Sequence, residues 1–185
     1  MPAPIDEQRI LEATLAVWGQ EGYRNATTRK IAERARIGEI TLFRRFGDKN
    51  ALFRAALASE TKRFGSDGVS FTGDIWSDLT GIVEAYSALL DRNGEIILDF
   101  LVNAPRDASL AALAPIPLQA MEGVARVIMQ HQAAGNLRAG PPPLLVLDLL
   151  SPVLMRRLLE RAQPSFIPRV NVEILVSGFL VGWKT

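Results

Sequence analysis

The chain contains no cysteine and a single histidine in 185 residues. Without cysteine it has no disulfide framework, no thiolate zinc site and no thiol nucleophile. A Ser-His-Asp triad would have to be built on His131, and no motif around that residue indicates one. The sequence also lacks a Gly-rich phosphate loop ending in Lys-Ser/Thr and a Gly-x-Ser-x-Gly elbow. We therefore expect a protein that is not an enzyme and that holds no cofactor or metal.

Long hydrophobic runs are absent as well. The two longest, LLVLDLLSPVLM and ILVSGFLVGW, are too short to span a bilayer, and Asp148 interrupts the first. The N-terminal segment MPAPIDEQ lacks the basic flank and apolar run of a signal peptide. Apolar residues make up 48% of the chain, which excludes a disordered protein. We expect a folded protein that lies in the cytoplasm and has no membrane partner.

Charges of opposite sign gather in different parts of the chain. Residues 1–64 carry 12 Lys and Arg against 8 Asp and Glu, whereas residues 65–185 carry 9 against 12. The overall net charge of +1 does not indicate nucleic-acid binding, but this segregation favours it for the N-terminal part. A solvated helix face is the alternative explanation of such a run of charges.

Residues 27–53, TTRKIAERARIGEITLFRRFGDKNALF, predict two short helices joined by a tight turn. Thr27 is a good N-cap, and an apolar stripe about two turns long follows it. Gly38 lies in the turn, and Leu42 and Phe46 fall on one side of the second helix. Asp48 is the N-cap candidate of a longer helix that ends near residue 64. This is the helix-turn-helix pattern, whose second helix fits the DNA major groove.

The same stretch resembles the DNA-binding domain of TetR-family transcriptional regulators. The residues that match in order and spacing are Thr27, Thr28, Ile31, Ala32, Ala35, Ile37, Thr41, Leu42, Phe43, Phe46, Lys49 and Leu52. The preceding segment fits too, with an amphipathic helix followed by Gly22 and Tyr23. The family's usual turn glycine, serine cap, second glycine and tyrosine are replaced here, and the replacements are Arg36, Gly38, Ile40 and Phe43. The resemblance covers residues 5–64, roughly a third of the chain.

The resemblance implies an all-α protein with two domains. A three-helix helix-turn-helix domain is expected at residues 4–64, and a helical ligand-binding and dimerisation domain at residues 74–185. We interpret the Gly/Ser-rich residues 65–73 as the loop between them. The function implied is a homodimeric, ligand-responsive repressor that binds a pseudo-palindromic operator in double-stranded DNA and is released by a small hydrophobic effector. A DNA-binding dimer without an effector, a constitutive regulator, is the alternative.

The expected DNA contacts lie on and around the second short helix. They are Thr27, Thr28, Arg29, Glu39, Ile40, Thr41, Phe43, Arg44, Arg45 and Lys49. Hydroxyls and cations at the two ends of this helix suit phosphates, whereas Glu39, Ile40 and Thr41 are candidates for base edges. Glu39 has a second interpretation, in which its charge only favours the helix N-terminus through the dipole.

Helical spacing continues after residue 73. It predicts helices at 74–90 and after an Asn93–Gly94 turn, a broken helix at 107–133, and two more at about 141–161 and 169–183. His131 is expected near a helix end, facing the C-terminal dipole. Glu95 and Asp99, at i and i+4, are interpreted as surface charge rather than as a metal or substrate site.

The C-terminal segment VNVEILVSGFLVGW is apolar or small at nearly every position. A helix of this kind must be covered, and Gly178 and Gly182 would let another helix approach closely. We predict dimerisation through Ile174, Gly178, Leu180 and Val181, with one intramolecular core as the alternative.

A ligand site is expected among bulky apolar residues of the middle helices. The candidates are Trp76, Tyr86, Phe100, Met121 and Met129. Aromatic and methionine side chains suit a deformable apolar site, although ordinary core packing explains each of them singly just as well.

Overall fold

The computed structural model describes residues 6–163 and 171–185, which form nine α-helices. Their bounds are α1 Glu7–Asn25, α2 Thr28–Arg34, α3 Glu39–Phe46, α4 Lys49–Gly68, α5 Ile75–Asn103, α6 Ala108–Ala111, α7 Pro115–Ala133, α8 Pro142–Ala162 and α9 Val172–Trp183. A 3₁₀ turn, Ala104–Arg106, precedes α6. Within the described ranges the only β pairing is an isolated bridge between Leu137 and Lys184. The predicted all-α fold is confirmed.

The described helices form two compact units that interleave along the sequence. The first unit comprises the residues up to Thr61 together with Asn93–Pro117, and the second comprises Lys62–Arg92 and Leu118–Thr185. Helices α4 and α5 therefore each contribute residues to both units. The functional division at the 65–73 segment stays a prediction. No helix in the described part of the chain is both long enough and apolar enough to cross a membrane.

The core of the first unit is an aromatic cluster of Trp18, Tyr23 and Phe53. Their ring centroids lie 5.1–5.4 Å apart, at tilted or edge-on angles that suit aromatic pairs. Gly22 has φ 76°, which a side chain would strain, and this breaks α1 just before Tyr23. Ala and Leu side chains of α1–α4 fill the space around the rings.

Asp99 of α5 fixes that break in α1. Its Oδ2 accepts from Trp18 Nε1 at 2.6 Å and from the backbone N of Tyr23 at 2.8 Å. The interpretation of Asp99 as surface charge is wrong, because the carboxylate is half-buried and satisfies two donors of the first unit. Glu95 is exposed, and its Cβ lies near Gly19 of α1.

In the second unit, α4 and α5 approach closely through two glycines. A Cβ on Gly68 would lie 2.5 Å from the carbonyl oxygen of Gly81, so the contact has no room for a side chain. The predicted loop at 65–73 is wrong in its first half, because α4 continues to Gly68. Of the glycines that indicated a loop, Gly68 is instead required by this helix crossing.

Three further expectations about the helices need correction. The Asn93–Gly94 turn is absent, since α5 runs through it with a kink at Asn93 (φ −129°, ψ 17°). His131 does not face a helix dipole alone: it is fully buried, and its Nε2 lies 2.9 Å from Asp78 Oδ2. The C-terminal helix begins at Val172, and residues 164–170 lie outside the described residues. The predicted interruption of the 107–133 helix is confirmed.

Candidate nucleic-acid interface

The α2–α3 pair has the local geometry that the sequence predicts for a helix-turn-helix. Thr27 caps α2, its hydroxyl accepting from Lys30 N at 3.3 Å. Gly38 precedes α3, and its carbonyl accepts from Thr41 N at 3.0 Å, without a side-chain cap. Arg36 occupies the turn with φ 53°, a left-handed conformation that usually falls to glycine.

Helix α3 buries one face and exposes the other. Leu42 is buried and Phe46 half-buried against the core of the first unit. Ile40 is 85% exposed and Phe43 44% exposed, although both are large apolar residues. Exposed apolar side chains on a short helix beside arginines suit thymine methyl groups in a major groove. The structure thus places these side chains on the outward face that the pattern predicts.

Glu39 is not a free carboxylate. Its Oε1 accepts from the Thr28 hydroxyl at 2.6 Å, so the two side chains connect the first turns of α2 and α3. Both residues were predicted as separate DNA contacts, and the structure brings them together. A base-reading role for Glu39 stays a prediction, and this hydrogen bond adds a third role to the two considered from sequence.

The predicted phosphate-binding cations differ in their partners. Arg29 pairs with Glu33 one helical turn later on α2, and both remain largely exposed. Arg45 pairs with Glu7 of α1, a contact across 38 residues for which the sequence gives no signal. Arg44 is exposed and has no ion-pair partner among the described residues. Exposed pairs of this kind contribute little to stability, so they can be exchanged for phosphates at small cost.

Lys49 is held more firmly than the arginines. Its Nζ donates to the Tyr23 carbonyl at 2.6 Å and lies 4.5 Å from the centroid of that ring, within cation–π distance. Burial lowers the pKa of the Lys49 ammonium, while the nearby Asp107 carboxylate acts to raise it. Lys49 therefore already has protein partners at the start of α4, and a phosphate contact for it stays a prediction.

Sequence reasoning missed the polar surroundings of Lys49. A shallow cavity of about 510 Å³ lies there, lined by Tyr23, Arg24, Asp48, Lys49, Asn50, Asp107 and Ser109. Arg24 Nε donates to Asp107 Oδ2 at 3.0 Å, and this hydrogen bond helps to lower the pKa of Asp107. Residues 107–109 follow α1 by more than 80 positions, so only the tertiary fold brings them to this place.

The predicted ligand-binding residues do not form one cluster. Phe100 packs against the core of the first unit, whereas the other four belong to the second. Tyr86 is buried edge-on against Phe64, and burial raises its pKa to about 12. Trp76 and Met129 are 42% and 46% exposed, and Met129 lines a surface groove of about 540 Å³.

The predicted dimerisation residues divide in a similar way. Ile174 and Val181 are 61% and 81% exposed, and a Cβ on Gly178 would meet nothing within 4 Å. Leu180 is 8% exposed, so it packs into the interior of its own chain rather than lying on the surface. A groove of about 710 Å³ runs along α8 and α9, and Ile174 and Gly178 are among its lining residues.

The N-terminal helices are similar in sequence to known regulatory proteins. Residues 10–56 match the model of bacterial regulatory proteins of the tetR family. The chain is 36% identical over 90 residues to the uncharacterized HTH-type transcriptional regulator YvkB of Bacillus subtilis (strain 168), covering 49% of this chain and 48% of that protein. It is 44% identical over 61 residues to the HTH-type transcriptional repressor KstR of Rhodococcus jostii (strain RHA1), covering 33% of this chain and 29% of that protein. The aligned part thus spans about half of the first relative and under a third of the second.

The fold agrees over nearly the whole chain. A transcriptional regulator from Rhodococcus sp. Rha1 superposes with a TM-score of 0.71 at 20% identity, covering 97% of this chain and 98% of that one. At this level of identity the superposition establishes the fold alone, and the match to the family model covers residues 10–56. The chain thus has the fold of a solved transcriptional regulator and, over residues 10–56, is similar in sequence to the tetR family of bacterial regulatory proteins.

Proposed function

We propose that the chain is a homodimeric transcriptional repressor that reads a pseudo-palindromic operator with α3. The observation that carries this proposal is the outward face of α3, where exposed Ile40 and Phe43 lie beside the unpaired Arg44. A monomer gains nothing from exposing these apolar groups, whereas a major groove offers thymine methyl groups to apolar side chains and flanking phosphates to a cation.

One helix-turn-helix makes too few contacts with DNA for a specific site, so two of them must be held at a fixed distance from each other. A dimer of this kind reads half-sites about one helical turn apart, roughly 34–36 Å. The exposed apolar residues of α8 and α9 supply a surface for pairing, and they include Leu147, Met155, Ile174 and Val181. Gly178 and Gly182 leave open space on α9 into which a partner helix fits.

Release by a ligand is the second part of the proposal. A small effector bound by the second domain would weaken operator binding only if it prefers the conformation that does not fit DNA. KstR is described as a repressor, which supports repression rather than activation for this chain. A constitutive regulator without an effector is the other candidate, and the exposed face of α3 supports both equally.

Fluorescence anisotropy on DNA from the promoter beside its own gene tests the DNA-binding claim. We expect the operator to bind at least about 10³-fold more tightly than a scrambled duplex, with log K falling linearly against log salt. Equal affinity for the operator and the scrambled duplex would contradict the proposal.

A matched pair of variants locates the reading face. Ile40→Ala should weaken binding to the operator but leave the affinity for the scrambled duplex unchanged. The unfolding free energy should also stay the same, because Ile40 is 85% exposed. Val102→Ala, at another exposed apolar position of the first unit, should change neither affinity. Equal effects of the two substitutions would remove α3 from the interface.

A further inference from the structure

A surface groove in the second unit has the composition of a binding site. Of its lining residues, only Met129 is a ligand-binding candidate predicted from the sequence. The groove encloses about 540 Å³ and lies between one face of α7 and the end of α4 together with the segment that follows it. Its lining residues are Gly65, Val69, Ser70, Phe71, Gly123, Arg126, Val127, Met129, Gln130 and Ala133. Arg126 is the only charged residue among them.

One wall of the groove is fixed in place by a buried polar network. Thr72 donates to Asp78 from its backbone N, at 2.8 Å, and from its hydroxyl, at 2.5 Å. Asp78 also contacts the fully buried His131, whose ring packs edge-on against Phe71 at 4.8 Å between centroids. The segment 69–72 is thereby tied to both α5 and α7, so the groove exists before any ligand arrives.

The charges in this network favour that arrangement. Burial acts to raise the pKa of Asp78, but the hydrogen bonds from Thr72 and His131 outweigh it, and the pKa of Asp78 is lowered. Asn136 Nδ2 lies 3.1 Å from His131 Nδ1, so each ring nitrogen has a polar partner. Asp78 and His131 are thus satisfied by the fold and leave Arg126 as the charge available to a ligand.

The exposed residues of the groove define what would fill it. Phe71 and Met129 are 38% and 46% exposed, so a ligand with an apolar body would cover them. Arg126 is exposed and forms no ion pair with any described residue, including Glu122 one helical turn earlier. A guanidinium beside an apolar surface binds a carboxylate with paired hydrogen bonds while the apolar part is removed from water.

We propose that this groove binds an amphipathic carboxylate, with the anionic group on Arg126 and the apolar body on Phe71 and Met129. The inference deepens the proposed function and rests on it only for the consequence of binding, since it names the chemical class of the effector. The effector expected from sequence was a hydrophobic molecule, and the groove adds one negative charge to it. Shape alone would accept a neutral molecule, so the charge is the part to test.

Calorimetric titration of the full chain with octanoate, 1-octanol and octyltrimethylammonium tests it directly. Each probe has a straight chain of eight carbons, which in octanoate includes the carboxyl carbon, and the three differ in charge. We expect octanoate to bind at least tenfold more tightly than octanol, and the cation to bind most weakly. Equal affinity for octanoate and octanol would overturn the proposal, as would the absence of octanoate binding.

Variants then assign the contact to residues. Arg126→Gln should reduce octanoate affinity to that of octanol, and Arg126→Lys should restore part of the difference. Arg138→Gln, which removes an exposed arginine outside the groove, should leave all three affinities unchanged. Met129→Gln should weaken octanoate and octanol alike. Octanoate binding that survives Arg126→Gln unchanged would overturn the assignment.

Two controls separate this inference from the proposed function. If the chain binds octanoate through Arg126 but no operator, the groove stands and the repressor proposal fails. If it binds an operator but no octanoate, the inference alone fails. A second copy of the chain could also cover the groove, and sedimentation of Met129→Gln tests this. If that variant loses a dimer that the unsubstituted chain forms, the groove is a contact between two copies, and the proposal is overturned.

Discussion

Arg44, near the end of α3, and Lys49, at the start of α4, carry the same charge in contrasting surroundings. Arg44 is exposed without an ion-pair partner in the described structure, whereas Lys49 donates to the Tyr23 carbonyl and lies over two aromatic rings. A cation without protein partners can turn to a phosphate without breaking any protein contact, but Lys49 would have to leave contacts that hold the start of α4.

We predict that replacement of Arg44 by alanine and replacement of Lys49 by alanine have different effects. Arg44→Ala should weaken binding to all duplexes alike and lower the salt slope by about one unit, while the protein remains as stable as before. Lys49→Ala should lower the unfolding free energy by about 1–2 kcal/mol, since a hydrogen bond and a cation–π contact are lost. Anisotropy over a salt series and urea unfolding measure the two effects. If Lys49→Ala lowers the slope without a loss of stability, its role is phosphate binding.

The role of Glu39 can be determined by comparing substitutions of the two residues that share the Thr28–Glu39 hydrogen bond. If Glu39 accepts from a cytosine amine, Glu39→Ala should relax the preference at one base pair, at about 1–3 kcal/mol on the best site. Thr28→Val removes only the hydroxyl that donates to Glu39, so it should leave base preference unchanged. Selection of binding sites from random DNA distinguishes the cases. An unchanged consensus for Glu39→Ala would show that the carboxylate serves the helix pair or its dipole.

The outward face of α3 could be predicted from sequence because burial there follows helical spacing. Leu42 and Phe46 stand four apart, and the structure places both against the core. Partners such as Glu7 for Arg45, or Asp78 for His131, could not be predicted, because each pair is separated by tens of residues and depends on how helices cross. Sequence spacing predicts which face a residue lies on, but not which distant residue it meets.

At the scale of helices, the α4–α5 crossing depends on two glycines. We predict that Gly68→Ala lowers the unfolding free energy by about 1–3 kcal/mol, because its Cβ would lie 2.5 Å from a backbone oxygen of α5 that cannot move away alone. Gly65→Ala, on the same helix with open space around it, should be neutral or stabilise the protein by up to about 1 kcal/mol. Urea unfolding of both variants measures the difference. Similar stability of the two variants would mean that the helices do not cross this closely.

The kink of α5 shows why helix ends are hard to place from sequence. Asn93 and Gly94 form a common turn dipeptide, yet α5 continues through them. Gly94 is buried, and Asn93 Nδ2 donates to Glu60 Oε2 at 2.8 Å. Tertiary contacts therefore compensate for a local sequence that favours a turn. The same reasoning applies to Gly68, a residue type that favours loops but that here lies in α4 and permits a close contact with α5.

At the scale of the whole molecule, the proposed repressor requires two copies of the chain. The apolar surface of α8 and α9 is already open in the single chain: Val181 is 81% exposed, and the groove beside it holds about 710 Å³. An exposed apolar surface of this kind is typical of an interface between subunits. Leu180, which faces the interior, contributes to this surface only by holding α9 in place.

We predict that Gly178→Arg separates folding from dimerisation. The open space around Gly178 lets a single chain accept the arginine, so the variant should keep its helical circular dichroism and its unfolding transition. In a dimer the same side chain would be buried without a partner, which costs several kcal/mol and weakens association by about two orders of magnitude or more. Sedimentation should show a dimer for the natural chain and for Gln119→Arg, which adds the same charge at an exposed position of α7, but a monomer for Gly178→Arg. The affinity for the operator should fall in parallel, because a single helix-turn-helix makes too few contacts to bind the site tightly. A Gly178→Arg protein that remains dimeric would place the interface on another surface.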